Sequence, residues 1–495
     1  MKPLTTLTYL LIVFALTLGL MAVFPKEGIH IGDKVHLQFP TLAEFLYPDT
    51  SRKVDIDAVI AELNDSTPEV DSLALMAEEE RVKDSLRRAR RRIQFAEDDA
   101  SPLFPFFAAM EALSKDKQAA RVLHFGDSQI EGDRMTSLIR ARLQEKFGGS
   151  GPGLSSLTPL VPSMSLKVES SPEWKRFPGF GRRDTSVKHS RYGVLASFSR
   201  FAPVSNDSLP QDSIEYSGYV KLIRSGAAFN KSKRYERLRL FMGYNRKPVN
   251  LTILSDGNLL AKDSIPAGNF MRVKRYDFPP TPKELHLIFS GKDSPDIYGA
   301  SLESATGLQV DNVSMRGASG TSFGSWSSSL LRQCFDSLNV KLLILQFGGN
   351  TVPYIKDSAH AERYAKSFAN QIRLLKRLAP EASVIVIGPA DMAVNEKGKM
   401  VTHPQLEHVR NAMLRTVQAE KAGYFDVYEV MGGRNSMDSW VNADPPLAAR
   451  DYVHFSPGGA RKIAEVFVQE LFKLYDQYKK AVSYTHLTLP TIYSV

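Results

Sequence analysis

The chain has 495 residues, with 63 Lys and Arg against 54 Asp and Glu, 43% hydrophobic residues and a formal charge of +9. That length exceeds a typical domain of roughly 100–200 residues, so two folded units plus extensions are expected, and 24% charged residues make the composition globular and exclude disorder throughout. A lone cysteine, Cys334, excludes an intramolecular disulfide and a Cys-rich zinc site, while the positive charge raises the question of a polyanionic partner.

From Pro3 to Pro25 no residue is charged and Leu, Ile, Val, Phe and Met dominate. That run matches the roughly 20 residues a helix needs to cross a bilayer core. Its end, Leu20-Met21-Ala22-Val23-Phe24-Pro25, lacks a small-x-small cleavage site, so residues 1–27 read as an uncleaved membrane anchor rather than a signal peptide. Residues 28–100 read as a juxtamembrane spacer. Within it, Glu78-Glu79-Glu80 is followed by five arginines between Arg87 and Arg92, which reads as a solvated helix with local ion pairs before it reads as a nucleic-acid patch.

From Ala119 the pattern changes. Arg121-Val122-Leu123-His124-Phe125 is an apolar run ending at Gly126-Asp127-Ser128, followed by helical periodicity through Ile139, Leu143 and Phe147. Runs from Val340 to Phe347 and from Ser383 to Gly388 alternate with helical stretches over 361–378 and 403–422. A last helix is expected from Pro457 to about Tyr478, with Ser456 as its N-cap. Such alternation predicts a parallel sheet covered by helices on both faces over 101–154 and 301–481.

The stretch over 155–300 interrupts that order with short β-prone pieces, among them residues 193–198, 238–242, 249–254 and 285–289, with a turn signal at Asp256-Gly257. It reads as an inserted β-sandwich or jelly-roll. It carries 23 Lys and Arg against 13 Asp and Glu, a net +10 that leaves −1 for the rest of the chain. Residues 482–495, beginning Val482-Ser483-Tyr484-Thr485-His486-Leu487-Thr488-Leu489-Pro490, resemble a translated sequencing adaptor and are expected to be non-native; the alternative is a β-prone natural tail.

Ser128 sits where a buried strand gives way to a helix, at the sheet edge where open α/β folds bind ligands. A serine hydroxyl needs a base, and the base needs an orienting partner. Asp451-Tyr452-Val453-His454 offers both in one loop before the final helix. Candidates for stabilising a developing oxyanion are the Ser128 amide, the Gly317 amide and the Asn350 side chain, with Gly320 and Gly324 competing for the Gly317 role. Each piece alone is an ordinary turn feature; their order and their positions after strands give them weight. His124, four residues before Ser128, competes as a base but reads first as a core residue. His403 and His408 are unspecific as metal ligands, and neither a metal nor another cofactor is expected. Trp174, Tyr192 and Tyr244 are candidates for stacking on sugar rings, although each alone suits a core.

In sequence the chain resembles the SGNH (GDSL) hydrolase superfamily, whose four blocks are matched in order by Gly126-Asp127-Ser128-Gln129, Gly317, Gly348-Gly349-Asn350 and Asp451-x-x-His454. Gln129 in place of a leucine and Thr351 in place of an acid depart from common forms of the pattern. The string from His124 to Gln129 and Phe147-Gly148-Gly149-Ser150-Gly151-Pro152-Gly153 looks more narrowly like bacterial peptidoglycan O-acetylesterases with an inserted carbohydrate-module-like domain. The resemblance implies a three-layer flavodoxin-like fold, Ser128 as nucleophile, His454 as base, Asp451 as its orienter, and an oxyanion hole from Ser128, Gly317 and Asn350. Taken with the uncharged N-terminal run and the basic insertion, it gives the reading of a serine esterase acting on O-acetyl groups of an acidic envelope polysaccharide from the periplasmic side of a bacterial inner membrane, with nucleic acid set aside as a partner. Two other readings stand beside it. An O-acetyltransferase would pass the same acyl group to a sugar, fed by a membrane-bound O-acyltransferase, and acetylated sugar product would identify it. A glycan-binding scaffold with an inactive site would never label with a fluorophosphonate.

Overall fold

The computed structural model describes residues 29–31, 35–37, 93–116, 118–204, 213–279 and 281–488. The chain divides into two units, Met1–Lys83 and Asp84–Val495. In the first, the described residues form an antiparallel ribbon of β1 (Ile29–Ile31) and β2 (Val35–Leu37), with His30 opposite His36. The expected anchor over 1–27 and the charged runs between 78 and 92 lie outside the described residues. Among the described residues no helix is long and apolar enough to cross a membrane.

The second unit begins with β3 (Ile93–Gln94), α1 (Phe104–Asp116), β4 (Ala119–Gly126) and α2 (Thr136–Phe147). The chain then enters a sandwich of β5 (Gly153–Ser155), β6 (Leu166–Ser170), β7 (Lys175–Pro178), β8 (Ser197–Arg200), β9 (Tyr216–Arg224), β10 (Arg237–Gly243), β11 (Val249–Ser255), β12 (Asn258–Ile265), β13 (Met271–Asp277), β14 (Glu284–Gly291) and β15 (Asp296–Glu303). It returns through β16 (Gly307–Ser314), α3 (Ser328–Leu338), β17 (Val340–Gln346), α4 (Ser358–Leu378) and β18 (Ser383–Ile387). A small ribbon of β19 (Ala393–Glu396) and β20 (Lys399–Thr402) precedes α5 (Leu406–Ala419), β21 (Gly423–Phe425), α6 (Val427–Met431), α7 (Ser436–Val441) and α8 (Pro457–Thr488).

The main sheet has the order β16-β4-β17-β18-β21-β3. Its first five strands are parallel and only β3 runs antiparallel to its neighbour. Strands buried on both faces read as continuous apolar runs, and the period of two divides them cleanly. Leu123 and Phe125 of β4, Leu343 and Leu345 of β17 and Val384 and Val386 of β18 share one core with α3, α4 and α5. Val122 of β4, Leu342 and Ile344 of β17 and Ile385 and Ile387 of β18 face the other core, with α1, α2 and α8. The result is the three-layer α/β architecture that the alternation predicts.

The sandwich has one sheet ordered β13-β10-β15-β8-β7, with β5 added to β15, and a second ordered β12-β11-β14-β9-β6. Every pairing is antiparallel. In β11 the buried residues Val249, Leu251 and Ile253 alternate with more exposed ones, as a half-buried strand requires. Asp256 and Gly257 both have positive φ, 48° and 83°, which makes the tight turn into β12. The strand expected over 193–198 begins only at Ser197, because Gly193 (φ 64°) and Ala196 (φ 53°) turn the chain before it.

Two further differences have local causes. The patterning does not mark β16 as a strand, since Gln309 and Asp311 interrupt its apolar residues; both are nonetheless fully buried. Asp311 is buried because Arg121, on neighbouring β4, donates to it at 2.9 Å. The same guanidinium reaches Glu303 of the sandwich at 2.5 Å, and Arg239 of β10 also contacts Glu303 at 3.4 Å. This buried ionic cluster ties the sandwich to the main sheet. The second difference is α8, which runs past Tyr478 to Thr488 and so continues into the segment set aside as non-native. Its Tyr475 and Tyr478 rings pack on Phe107 of α1 at 5.5 and 5.7 Å.

Candidate active site

β4 lies between β16 and β17, so the chain leaves it toward one side and later returns on the other. Ligands of open α/β sheets bind outside the strand C-termini at such a switch point. Three segments arrive there from successive strands: Asp127-Ser128-Gln129 after β4, Gly348-Gly349-Asn350 after β17 and Gly388-Pro389 after β18. They line a cavity of about 260 Å³ together with Val453 and His454. Gly348 has φ 118°, a conformation open to glycine and strained for other residues, which turns the chain sharply at the end of β17.

Ser128 is half-buried at the start of a short 3-10 turn that Asp127 caps, accepting the Gln129 N–H at 2.9 Å. Its Oγ lies 2.8 Å from His454 Nε2. On the other side of the ring, Nδ1 lies 2.8 Å from Asp451 Oδ2. A carboxylate only accepts, so the proton sits on Nδ1 and Nε2 is left to accept the serine proton. Asp451 Oδ1 also accepts the backbone N–H groups of Val453 and His454, each at 3.0 Å. Partial burial opposes its ionisation, but these N–H groups and the imidazole outweigh that and hold the carboxyl below its ordinary range. The loop can turn back this tightly because Tyr452 takes a left-handed conformation, φ 58°, at a cost of about 1–2 kcal/mol. It is closed by a bridge between Ala448 and Phe455 and by the Ala449 N–H donating to His454 O at 2.8 Å.

Gln129 has a role that the sequence pattern does not announce. Its Nε2 donates to Val453 O at 2.7 Å and its Oε1 accepts the Phe455 N–H at 3.2 Å. One side chain thus brackets His454 from both sides and fastens the histidine loop to the residue after Ser128. Arg134 adds a brace, donating to Glu131 O at 2.9 Å and Phe455 O at 3.3 Å.

Asp127 is buried (4% exposed), and burial pushes its carboxyl up to about 6 against the opposing influence of the Gln129 N–H and His454. His124 is fully buried. Its Nε2 donates to Gln346 Oε1 at 3.1 Å and its Nδ1 accepts from Thr136 Oγ1 at 2.9 Å, while burial lowers its pKa to about 4. It is a neutral core residue with both ring nitrogens occupied, so it does not compete with His454.

The three oxyanion-hole candidates are not gathered equally. Ser128 and Asn350 line the cavity; Gly317 does not. The Gly317 loop reaches the site through Ala318, whose carbonyl accepts from Asn350 Nδ2 at 3.2 Å, and Tyr364 Oη holds the same loop by donating to Ser319 O at 2.8 Å. Of its competitors, Gly324 has its N–H engaged by Gln371 at 2.9 Å. A Cβ on Gly320 would come within 2.7 Å of Phe347 and Phe368, which makes that glycine a packing requirement.

The sugar-stacking candidates are not here. Trp174 is buried in the sandwich core against Phe201 and Phe289, at 5.3 and 5.4 Å, and Tyr192 is only 1% exposed. Tyr244 lines a different cavity. Two aromatic rings line the catalytic cavity, buried Phe347 and Tyr354, which is 76% exposed. The signal for Tyr354 was available in sequence, four residues after Asn350 on the same turn. Among the described residues, no group of three or more His, Cys, Asp or Glu side chains is placed to hold a metal.

Residues 263–462 match the GDSL-like Lipase/Acylhydrolase family. That span begins within the sandwich and includes Gly317, Asn350, Asp451 and His454 but not Ser128. A solved structure of a peptidoglycan O-acetylesterase is similar in fold, with 20% identity and a TM-score of 0.58 over 75% of this chain and 96% of that one. A family two carbohydrate esterase from Cellvibrio japonicus aligns with 63% of this chain and 99% of its own, at 11% identity and a TM-score of 0.25, too slight a likeness to argue from. No curated protein matches the sequence.

Proposed function

We propose that the chain is an esterase of the SGNH (GDSL) type that removes O-acetyl groups from a cell-envelope polysaccharide through an acetyl-Ser128 intermediate, a reading supported by the family match over residues 263–462 and by the fold shared with a peptidoglycan O-acetylesterase. The observation that carries this reading is the continuous relay from Ser128 through His454 to Asp451, with both links at 2.8 Å. In the proposed course His454 Nε2 takes the hydroxyl proton as Ser128 Oγ attacks the acetyl carbonyl. Asp451 stabilises the imidazolium that forms. The Ser128 amide and the Asn350 side-chain amide face the developing oxyanion, and Asn350 would exchange its bond to Ala318 O for one to the substrate. The imidazolium returns its proton to the departing sugar oxygen, and water, deprotonated by His454, then releases acetate and restores Ser128.

A small acyl group suits a cavity of about 260 Å³, and exposed Tyr354 at its wall offers a flat face for the sugar that carries the ester. A basic insertion of +10 favours an acidic glycan over a neutral one. The uncharged run over residues 3–25 supports placing the enzyme at the bacterial inner membrane facing the periplasm, where a membrane-bound O-acyltransferase would be a neighbour; this part rests on sequence alone. The test is acetate release from O-acetylated peptidoglycan. Wild-type protein should release acetate, and Ser128→Ala with unchanged folding should not. Release by the variant at the wild-type rate would refute the proposal.

A further inference from the structure

A second cavity, of about 650 Å³, is formed by the sandwich and shares no residue with the catalytic one. Arg200 is buried in its wall and divides its guanidinium between two acids, Asp293 at 2.6 Å and Asp296 at 2.8 Å. The second oxygen of Asp293 accepts the backbone N–H of Arg246 at 2.7 Å. Lys188 and Arg191 line the same cavity and add two further cations beside this cluster. His189 adds no charge near neutral pH, because burial and the neighbouring arginines lower its pKa to about 4.

The positive wall calls for an anion, but it also holds acceptors that an anion leaves unsatisfied. Asn245 Oδ1 and Asp296 Oδ2 are buried and have no hydrogen-bond partner. The cations nearest Asp296 Oδ2 are His189 Nε2 at 3.5 Å and Arg191 Nη2 at 3.9 Å, beyond good hydrogen-bonding distance. Buried acceptors of this kind need donors, and hydroxyl groups supply them. Arg191 is held in place by stacking on the Tyr244 ring, 4.2 Å from its centroid. Beside Gly268 of the cavity wall, Phe270 is 59% exposed, with the Arg272 guanidinium over one face of its ring at 4.7 Å and the rest of its exposed surface apolar. Donor hydroxyls, a negative charge and an apolar ring face together describe an acidic sugar.

A neighbouring cleft of about 630 Å³ shares Lys188, His189 and Arg191 and continues to Ser327, the N-cap of α3 in the catalytic portion. The two make a groove running from the sandwich onto the main α/β layers, a shape for a chain rather than a single sugar. We propose that this groove is a second glycan site, which takes a carboxylate-bearing saccharide chain and retains the polymer while another part of it reaches Ser128. The proposal rests on the reading of the substrate as an envelope polysaccharide.

Two soluble probes differ in the required charge: a peptide-free peptidoglycan tetrasaccharide, whose muramyl sugars bear carboxylates, and neutral chitotetraose. Binding of each to the full-length protein is measured calorimetrically for wild type, for Lys188→Ala/Arg191→Ala, and for the surface charge reversal Lys188→Glu. The acidic probe should bind about tenfold or more tighter than the neutral one, and both variants should lose about tenfold of that affinity. Turnover of p-nitrophenyl acetate, which reports on Ser128 alone, should stay at the wild-type level in both. Equal binding of the two probes, or unchanged affinity in folded Lys188→Glu, would overturn the groove proposal. Absent ester turnover in wild type would instead count against the esterase reading.

Discussion

Replacing Asp127 with asparagine isolates the cost of a buried carboxylate beside Ser128. The side chain is 4% exposed and accepts the Gln129 N–H, a bond that an asparagine Oδ1 would also accept. Burial raises its pKa from an ordinary 3.8 to about 6. That is roughly 2.2 pH units, and at about 1.36 kcal/mol per unit it corresponds to about 3 kcal/mol. The sign follows from proton counting. Between pH 3.8 and 6 the folded chain holds the proton and the unfolded chain has released it, so stability falls as pH rises through this window. Below the window the acid is neutral in both states and costs nothing in ionisation; above it the full penalty applies. The variant side chain has no charge to bury, and its amide resembles the protonated acid in size and polarity. Asp127→Asn should therefore match wild type in urea unfolding at about pH 4 and exceed it by up to about 3 kcal/mol at about pH 8. A difference between the two proteins that is the same at both pH values would refute the reasoning.

Gln129→Leu removes both side-chain bonds that bracket His454, and at about 1 kcal/mol per bond kcat should fall about tenfold or more with little change in KM, as measured on p-nitrophenyl acetate. A rise in KM alone would argue against a positioning role. Tyr354→Ala should raise KM for acetylated glycan several-fold and leave p-nitrophenyl acetate turnover unchanged, because the ring is exposed and packs no core. Arg121→Met leaves buried Asp311 without its cation and Glu303 with only the longer Arg239 contact at 3.4 Å, and calorimetric unfolding should show a loss of about 3–5 kcal/mol. An unchanged Tm in that variant would mean the cluster does not join the sandwich to the sheet energetically.

What the sequence makes legible here depends on how local the cause is. Ser128, Asn350 and the Gly388 turn stand out because each ends an apolar run that is buried on both faces, and such runs need no distant information to recognise. The Asp451–His454 spacing is equally local: the carboxylate that orients the ring also accepts the backbone N–H groups of Val453 and His454. Strand β16 is hidden because its buried Asp311 is stabilised by an arginine 190 residues away. Gln129 looks like a neutral departure from a leucine because its partners lie across the fold, 324 and 326 positions away. Trp174 invites a sugar-binding reading by its type alone, and only its contacts with Phe201 and Phe289 put it in the core. The basic excess of the insertion is plain in sequence. That part of it gathers around Arg200 and Arg191, with unpartnered acceptors beside them, is a property of the packed sandwich.

The central claim is that acetyl passes through Ser128 under the control of His454. Rapid-quench mass spectrometry of wild-type protein turning over acetylated glycan addresses it most directly. One acetyl group should be found on the peptide containing Ser128 during turnover, and none on Ser128→Ala. Acetate release by Ser128→Ala at the wild-type rate, or acetyl found on another residue while turnover proceeds, would contradict the account.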